Sequence, residues 1–301
     1  MHTAVKRFYD GAYFFLQATL RVNPFIPRKI KGSKVIRGHI RREQETNPQL
    51  DELIIQQLKE QRIENNSYEI DINKFRKYYS DTTYPQDYYG NKKRRDDNFI
   101  EKALEHFVSL QFLGLCTQST LVDVGAGNSP FSEIVSEKYS IKNSYRQDKY
   151  FEDGLHANKI GGSASSLPFP DNSIDAMTLH CSLEHFEGKE DTGFFKEAER
   201  VLKKDGKCII LPFYLSSTYT VHLDPVNNLL KSLRPSLDDE GAVIRYCDSR
   251  QVFSRHYDVN AFCQRILNHV HALHTTIYHV ENFKEVHPDC YLRFIAVMTK
   301  K

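Results

Sequence analysis

A short apolar run that ends in two glycines constrains the fold of this chain more than any other feature. The run Thr120–Val124 is rich in β-branched residues, and Gly125 and Gly127 follow it. Ser129 and Pro130 then predict the start of a helix, because proline suits the first helical position. A strand that passes through a glycine turn into a helix is the first half of a βαβ unit, and its glycines let the backbone approach a ligand closely.

Strands and helices alternate along the chain after residue 96. Further strands are predicted at 144–148, 174–180, 207–213, 275–280 and 292–298. A helix predicted over 193–202 separates two of them, and this spacing indicates a parallel sheet. The last two strands are joined by a connection too short for a crossover helix, so we expect them to be antiparallel. The pattern therefore predicts an α/β fold with a mostly parallel sheet, helices on both faces and an antiparallel last strand.

The sequence before residue 96 has a different character, because it is first basic and then rich in tyrosine. Helices are predicted over 5–20 and 49–62 from their apolar periodicity. The tyrosine-rich stretch 78–90 has turn residues and no period, which is typical of a loop. Asn98 and Glu101 have the spacing of a capping box, which predicts a helix start there.

These changes of pattern predict two parts of the chain. We expect a mixed, mainly helical N-terminal cap at 1–96 and a second domain at 97–301. An insertion at 214–256 interrupts the second domain, since prolines and acidic residues break its alternation of strands and helices. The tyrosines of the cap either stack on a bound acceptor or pack the cap against the sheet.

Positive charge is concentrated at the N-terminus. Residues 1–42 contain ten Lys or Arg and one acid, a net charge of +9, so the other 259 residues carry −7 of the chain's +2. Three interpretations stay open: peripheral contact with an anionic membrane, contact with nucleic acid, or a solvated basic surface. Nucleic acid is the least favoured, because no arginine-rich helix or RNA-binding signature is present.

Composition excludes several classes of protein. The chain is 40% hydrophobic and 27% charged, with a mean hydropathy of −0.55, which excludes a collagen, a wholly disordered chain and a polytopic membrane protein. The six cysteines form no Cys-x-x-Cys pair, and the histidines at 269, 271 and 274 would not share one strand face, so we expect no metal site. Without a clean signal peptide, a cytoplasmic location is predicted.

The glycine turn carries chemical information of its own. Pro130 stands where a dinucleotide fingerprint has its third glycine, which disfavours a pyrophosphate. Asp123, two residues before the first glycine, suits an ammonium group. Asp148 follows Gly127 by 21 residues and can accept both hydrogen bonds of a ribose diol. A positively charged nucleoside with an amino-acid tail meets both requirements, and S-adenosylmethionine is that ligand.

Four segments, in this order, resemble the class I S-adenosylmethionine-dependent methyltransferases over about residues 97–213. They are the loop 123–129, Asp148, the segment 162–175 and the turn 200–207. The resemblance implies a Rossmann-like, seven-stranded sheet. The cofactor-binding residues that it implies are Asp123, Gly125, Ala126, Gly127, Asp148, Ser163 and Ala164. Ser163 departs from the family, which commonly has an aspartate at the adenine.

The resemblance also places the segment from His180 to His185 beside the reacting centre. Either histidine could remove a proton from an acceptor hydroxyl, since imidazole titrates near neutrality. Alternatively, His185 and Glu184 brace the following loop. The implied function is methyl transfer to an oxygen or nitrogen of a small molecule or glycan intermediate. The alternatives are an RNA or protein methyltransferase that uses the basic segment, and a cofactor-binding module without catalysis.

Overall fold

The computed structural model describes residues 34–37, 47–90, 98–224, 235–246 and 252–301. Its helices are α1 Pro48–Glu60, α2 Ile72–Asp81, α3 Phe99–Leu113, α4 Phe131–Tyr139, α5 Glu190–Val201, α6 Val259–Arg265 and α7 Phe283–Val286. Its strands are β1 Lys34–Arg37, β2 Glu64–Tyr68, β3 Thr120–Val124, β4 Asn143–His156, β5 Lys159–Gly161, β6 Ile174–His180, β7 Leu202–Leu211, β8 Thr220–Leu223, β9 Val243–Tyr246, β10 Ser254–His256, β11 Leu273–Val280 and β12 Phe294–Lys300. The helix predicted over 5–20, and the side chains of the basic segment 1–42, lie outside the described residues.

Eight strands form the main sheet in the order β2-β11-β12-β7-β6-β3-β4-β5. Strand β3 is parallel to β4 and β6, and β6 is parallel to β7. Strand β12 is antiparallel to both β7 and β11, which confirms the α/β fold with an antiparallel strand at the end of the chain.

Two strands of this sheet, β2 and the short β5, were not among the predicted strands, and the sheet has eight strands where the resemblance implies seven. Strand β2 comes from the N-terminal part and pairs parallel with β11, where Glu64 is opposite Thr276. Its sequence Glu-Asn-Asn-Ser-Tyr has no apolar alternation, because it lies at the sheet edge with little burial. Only its pairing with β11 makes it a strand.

A second, smaller sheet lies largely within the insertion. Its four strands have the order β1-β9-β8-β10, and β8 pairs antiparallel with β10. In the predicted insertion 214–256, the described residues therefore contain three strands.

Alternate residues of the central strands supply two hydrophobic cores. Leu121 of β3 packs with α3 and α4 on one face, whereas Val122 packs with α1, α5 and α6 on the other. The core of the sheet is therefore covered by helices on both faces, as a parallel sheet requires. Within the described residues, no helix is both long and apolar enough to cross a bilayer.

Two local predictions were correct only in part. Helix α3 begins at Phe99, where the capping-box spacing predicts a helix start, but Asn98 at its N-cap makes no capping bond through its side chain, and Glu101 turns inward to accept from the backbone N–H of Tyr291 at 2.9 Å. The stretch 78–90 is not wholly a loop, because α2 continues to Asp81. Asp71 caps α2 by accepting from the N–H of Lys74 at 3.0 Å.

Candidate functional site

The glycine turn after β3 has the backbone conformation that only glycine adopts easily. Gly125 has φ +64° and Gly127 has φ +52°. A Cβ on Gly125 would lie 2.6 Å from the Cβ of Ser182, the second residue after β6. The turn is therefore packed closely against the segment that leaves the end of β6.

The end of β4 holds the turn from the other side. The N–H of Ala126 donates to the carbonyl of Gln147 at 2.9 Å, and the N–H of Gly127 donates to Oδ2 of Asp148 at 2.8 Å. Oδ1 of Asp148 accepts from the N–H of Tyr150 at 2.9 Å. Each carboxylate oxygen can accept a further hydrogen bond, so Asp148 stays able to bind a diol.

Asp123 is buried and only half satisfied. Its Oδ1 accepts from Oγ1 of Thr178 at 2.8 Å and from Nδ1 of His180 at 2.9 Å. Its Oδ2 is also buried, and no group of the described residues bonds to it. A buried carboxylate oxygen without a donor is costly, and a ligand ammonium would satisfy it.

His180 is committed to holding Asp123. Its Nδ1–H donates to Asp123, and its Nε2 accepts from the hydroxyl of Ser109 at 2.8 Å. The side chain is only 4% exposed. With both ring nitrogens bonded, His180 has the geometry of a residue that positions Asp123, and its predicted role as a base stays untested.

His185 has a different environment, in the short turn after β6. Its Nδ1–H donates to the carbonyl of Phe253 at 2.7 Å, which leaves the lone pair of the neutral ring on Nε2. Nε2 lies 3.6 Å from Oε1 of Glu184, whose pKa is raised by burial. The His185 side chain is 38% exposed, so of the two predicted histidines it is the one that a ligand can reach.

The two residues predicted to lie at an adenine, Ser163 and Ala164, lie next to an acid that the sequence did not reveal. Ala164 is buried, and the hydroxyl of Ser163 donates to Oε2 of Glu190 at 2.6 Å. The hydroxyl of Ser165 reaches the same oxygen at 3.1 Å. Glu190 thus places a carboxylate at Ser163, where the family commonly has an aspartate. No local motif could show this, because 27 residues separate the pair.

A group of partly exposed polar side chains lies just after the end of β6, and we call the surface they form the polar recess. Its walls are Cys181, Tyr214, His256 and Tyr291. The rings of Tyr214 and His256 are stacked, with their centroids 4.7 Å apart. Sγ of Cys181 lies 3.6 Å from the hydroxyl of Tyr291 and 3.8 Å from that of Tyr214.

The floor of the polar recess is charged and consists of Lys102, Glu105 and Glu184. Nζ of Lys102 donates to Oε1 of Glu105 at 2.7 Å, and both side chains are at most 4% exposed. Sγ of Cys181 lies 3.3 Å from the same Oε1, which joins floor and wall. No motif in the sequence singled out Lys102 or Glu105, so sequence reasoning missed the floor.

Comparison with known proteins shows what this part of the chain is similar to. A family model described as a methyltransferase domain matches residues 122–210, the segment from β3 to β7. No three His, Cys, Asp or Glu side chains of the described residues are grouped so as to hold a metal ion.

Several relatives share this methyltransferase domain. The chain is 30% identical over 153 residues to the uncharacterized methyltransferase YcgJ of Bacillus subtilis (strain 168), covering 46% of this chain and 58% of the relative. It is 30% identical over 128 residues to the ubiquinone/menaquinone biosynthesis C-methyltransferase UbiE of Vibrio cholerae, covering 35% and 48%. The chain thus spans about half the length of the curated relatives it matches. The crystal structure of PH0226 from Pyrococcus horikoshii OT3 has a TM-score of 0.44 at 20% identity, covering 75% of this chain and 99% of that one.

The matched segment and the polar recess divide the site into two halves. All the predicted cofactor-binding residues, and both predicted histidines, lie within the methyltransferase domain at 122–210. Lys102 and Glu105 precede it, and Tyr214, His256 and Tyr291 follow it. The recess is therefore built mostly from parts of the chain outside the shared domain.

Proposed function

We propose that this chain transfers the methyl group of S-adenosylmethionine to an oxygen or nitrogen nucleophile of a small molecule or glycan intermediate, in the cytoplasm. The observation that carries the proposal is Oδ2 of Asp123, a buried carboxylate oxygen that lacks a donor among the described residues and adjoins the glycine turn. The methionine ammonium supplies that donor.

The other residues of the domain fit the remaining parts of the cofactor. The turn from Gly125 through Ala126 to Gly127 lets the backbone lie close to the methionine tail. Asp148, which touches that turn, binds the ribose. Ser163 and Ala164 line the adenine site, and Glu190 adds the carboxylate. When bound, S-adenosylmethionine supplies a methyl carbon activated by a sulfonium, and S-adenosylhomocysteine remains after the acceptor's lone pair has taken the methyl group.

The protein's own task is to align the acceptor and take up its proton. In this proposal His185 accepts the proton, because its Nε2 carries the lone pair and the ring is held through Nδ1. His180 acts through Asp123 as a positioning residue. The polar recess, next to both, receives the acceptor.

The basic segment supports one more proposal about partners. Its net charge of +9 suits peripheral contact with an anionic membrane, which would bring the site to a lipid-linked acceptor. Sedimentation with anionic vesicles but not with neutral ones tests this, and equal partition into both contradicts it.

Turnover tests the main proposal. The purified chain is incubated with S-adenosylmethionine and a small-molecule extract, and S-adenosylhomocysteine is measured by mass spectrometry. We expect product that depends on the extract, and at least about a tenfold loss in Asp123→Asn, equivalent to about 1.4 kcal/mol. Glu137→Gln, an exposed change on α4, should match wild type. Product at the level of boiled protein would contradict the proposal.

A further inference from the structure

Two carboxylate oxygens at the floor of the polar recess lack hydrogen-bond donors. Oε2 of Glu105 and Oε2 of Glu184 are both buried, and neither has a partner among the described residues. Glu105 is fully buried and Glu184 is 4% exposed. Native proteins rarely leave such atoms unpaired, because each costs about 1–3 kcal/mol or more when charged.

The two carboxylates lie on either side of Cys181, because its Sγ is 3.3 Å from Oε1 of Glu105 and Glu184 follows it by three residues. Burial raises the pKa of Tyr214, and the nearby Cys181, Glu184 and Glu105 raise it further. Burial also raises the pKa of Tyr89, where Cys181, Glu105 and Glu184 act in the same direction. Both carboxylates therefore lie within electrostatic range of the same tyrosines, around the thiol of Cys181.

The charge of the floor favours a cation. Lys102 is the one cation among the three floor residues, and it is already bonded to Oε1 of Glu105. The rings of Tyr89 and Tyr291 lie 5.7 and 5.6 Å from its Nζ, so aromatic faces already surround a positive charge here. Carboxylates together with aromatic faces are the groups that bind ammonium ions.

We infer that the acceptor bound in the polar recess is an amine, whose N–H groups donate to Oε2 of Glu105 and Oε2 of Glu184. This inference rests on the proposed function and narrows its acceptor from oxygen or nitrogen to nitrogen. An ammonium offers several donors from one atom, whereas each hydroxyl of a neutral polyol offers one donor. Nε2 of His185, 3.6 Å from Oε1 of Glu184, is placed to take the proton that the amine loses.

Two fluorinated fragments that differ only in the polar group test this inference. The ¹⁹F line widths of 4-fluorobenzylamine and 4-fluorobenzyl alcohol are measured with the full chain, with and without S-adenosylhomocysteine. We expect the amine signal to broaden and the alcohol signal to stay sharp. Equal broadening of the two fragments, or broadening of neither, would overturn the inference.

Matched variants test whether the amine binds at these two carboxylates. Glu184→Gln keeps the Lys102–Glu105 pair, and Glu105→Gln tests the second oxygen. Each should reduce the amine broadening at least fivefold, while Glu137→Gln should leave it unchanged. Amine broadening that is the same in all four proteins would also overturn the inference. Absence of S-adenosylhomocysteine binding in the same samples would instead contradict the proposed function, because the fragments report on the recess without the cofactor.

Discussion

His180 and His185 are five residues apart and have opposite environments. His180 bonds to the buried Asp123 and Ser109, whereas His185 bonds to one backbone carbonyl and is partly exposed. We therefore expect His180→Ala to lower the free energy of unfolding by about 3 kcal/mol, because it removes one of the two donors to a buried carboxylate and leaves a cavity beside it. His185→Ala should lower the free energy of unfolding by less than about 1.5 kcal/mol and yet abolish most of the methyl transfer. Denaturant titration and product formation are measured on both variants, and equal losses of stability would contradict this division of roles.

Gly125 lies in a position that a larger residue cannot occupy without movement. An added Cβ would meet the Cβ of Ser182 at 2.6 Å, in a backbone that already has a positive φ. Gly114→Ala is the matched control, because Gly114 has φ +59° and nothing within 4 Å of the added atom. We expect Gly114→Ala to lower the free energy of unfolding by about 1 kcal/mol and Gly125→Ala to lower it by at least about 2 kcal/mol more, measured by chemical denaturation. Equal losses in the two variants would contradict the close packing of the turn against Ser182.

At the scale of elements, one buried arginine joins the second sheet to the segment that carries His185. Nε of Arg255, on β10, donates to Oδ1 of Asp239 at 2.6 Å, and its guanidinium also donates to the carbonyls of Phe186 and Gly188. Nη1 of Arg255 lies 3.0 Å from Asp191 at the start of α5. This network fixes the turn after β6 against the insertion.

Arg255→Lys should therefore destabilise the protein, because one ammonium cannot replace this set of directed bonds. We expect a loss of about 3–5 kcal/mol in the free energy of unfolding. Arg245→Lys, in strand β9 of the same sheet, should change it by less than about 1 kcal/mol. Thermal and denaturant unfolding compare the two, and a stable Arg255→Lys protein would show that the network is dispensable.

The elements also show what the sequence could predict. Strands β3 and β6 have mostly apolar sequences, and α1 and α5 have clear periodicity, so all four were found close to their observed bounds. Strand β7 was predicted at 207–213, but it begins at Leu202, because its first half is polar. Strand β2 was missed because it is polar and exists through its pairing with β11. The predicted cofactor-binding residues stand in local motifs, so they could be selected from the sequence. The residues of the polar recess could not, since pairs such as Cys181 and Tyr291 are 110 residues apart.

At the scale of the whole molecule, stability should fall as pH rises. Burial, together with the charge of Glu105, raises the pKa of Glu101 from 4.5 to about 8. The folded protein thus holds a proton that the unfolded chain has lost between about pH 4.5 and 8. Relative to Glu101→Gln, wild type should lose up to about 1.4 kcal/mol of stability per pH unit in that window. Unfolding free energies that run parallel from pH 5 to 8 would contradict the buried, protonated Glu101.

The most direct test of the account is calorimetric titration of S-adenosylhomocysteine into wild type and Asp148→Ala, since the chain has no tryptophan for fluorescence. Asp153→Ala, an exposed change on the same strand, is the control. We expect wild type and the control to bind alike. Asp148→Ala should bind about 5- to 150-fold more weakly, because about 1–3 kcal/mol is lost when the ribose hydroxyls lose their acceptor. Folded wild type that does not bind S-adenosylhomocysteine would contradict the account.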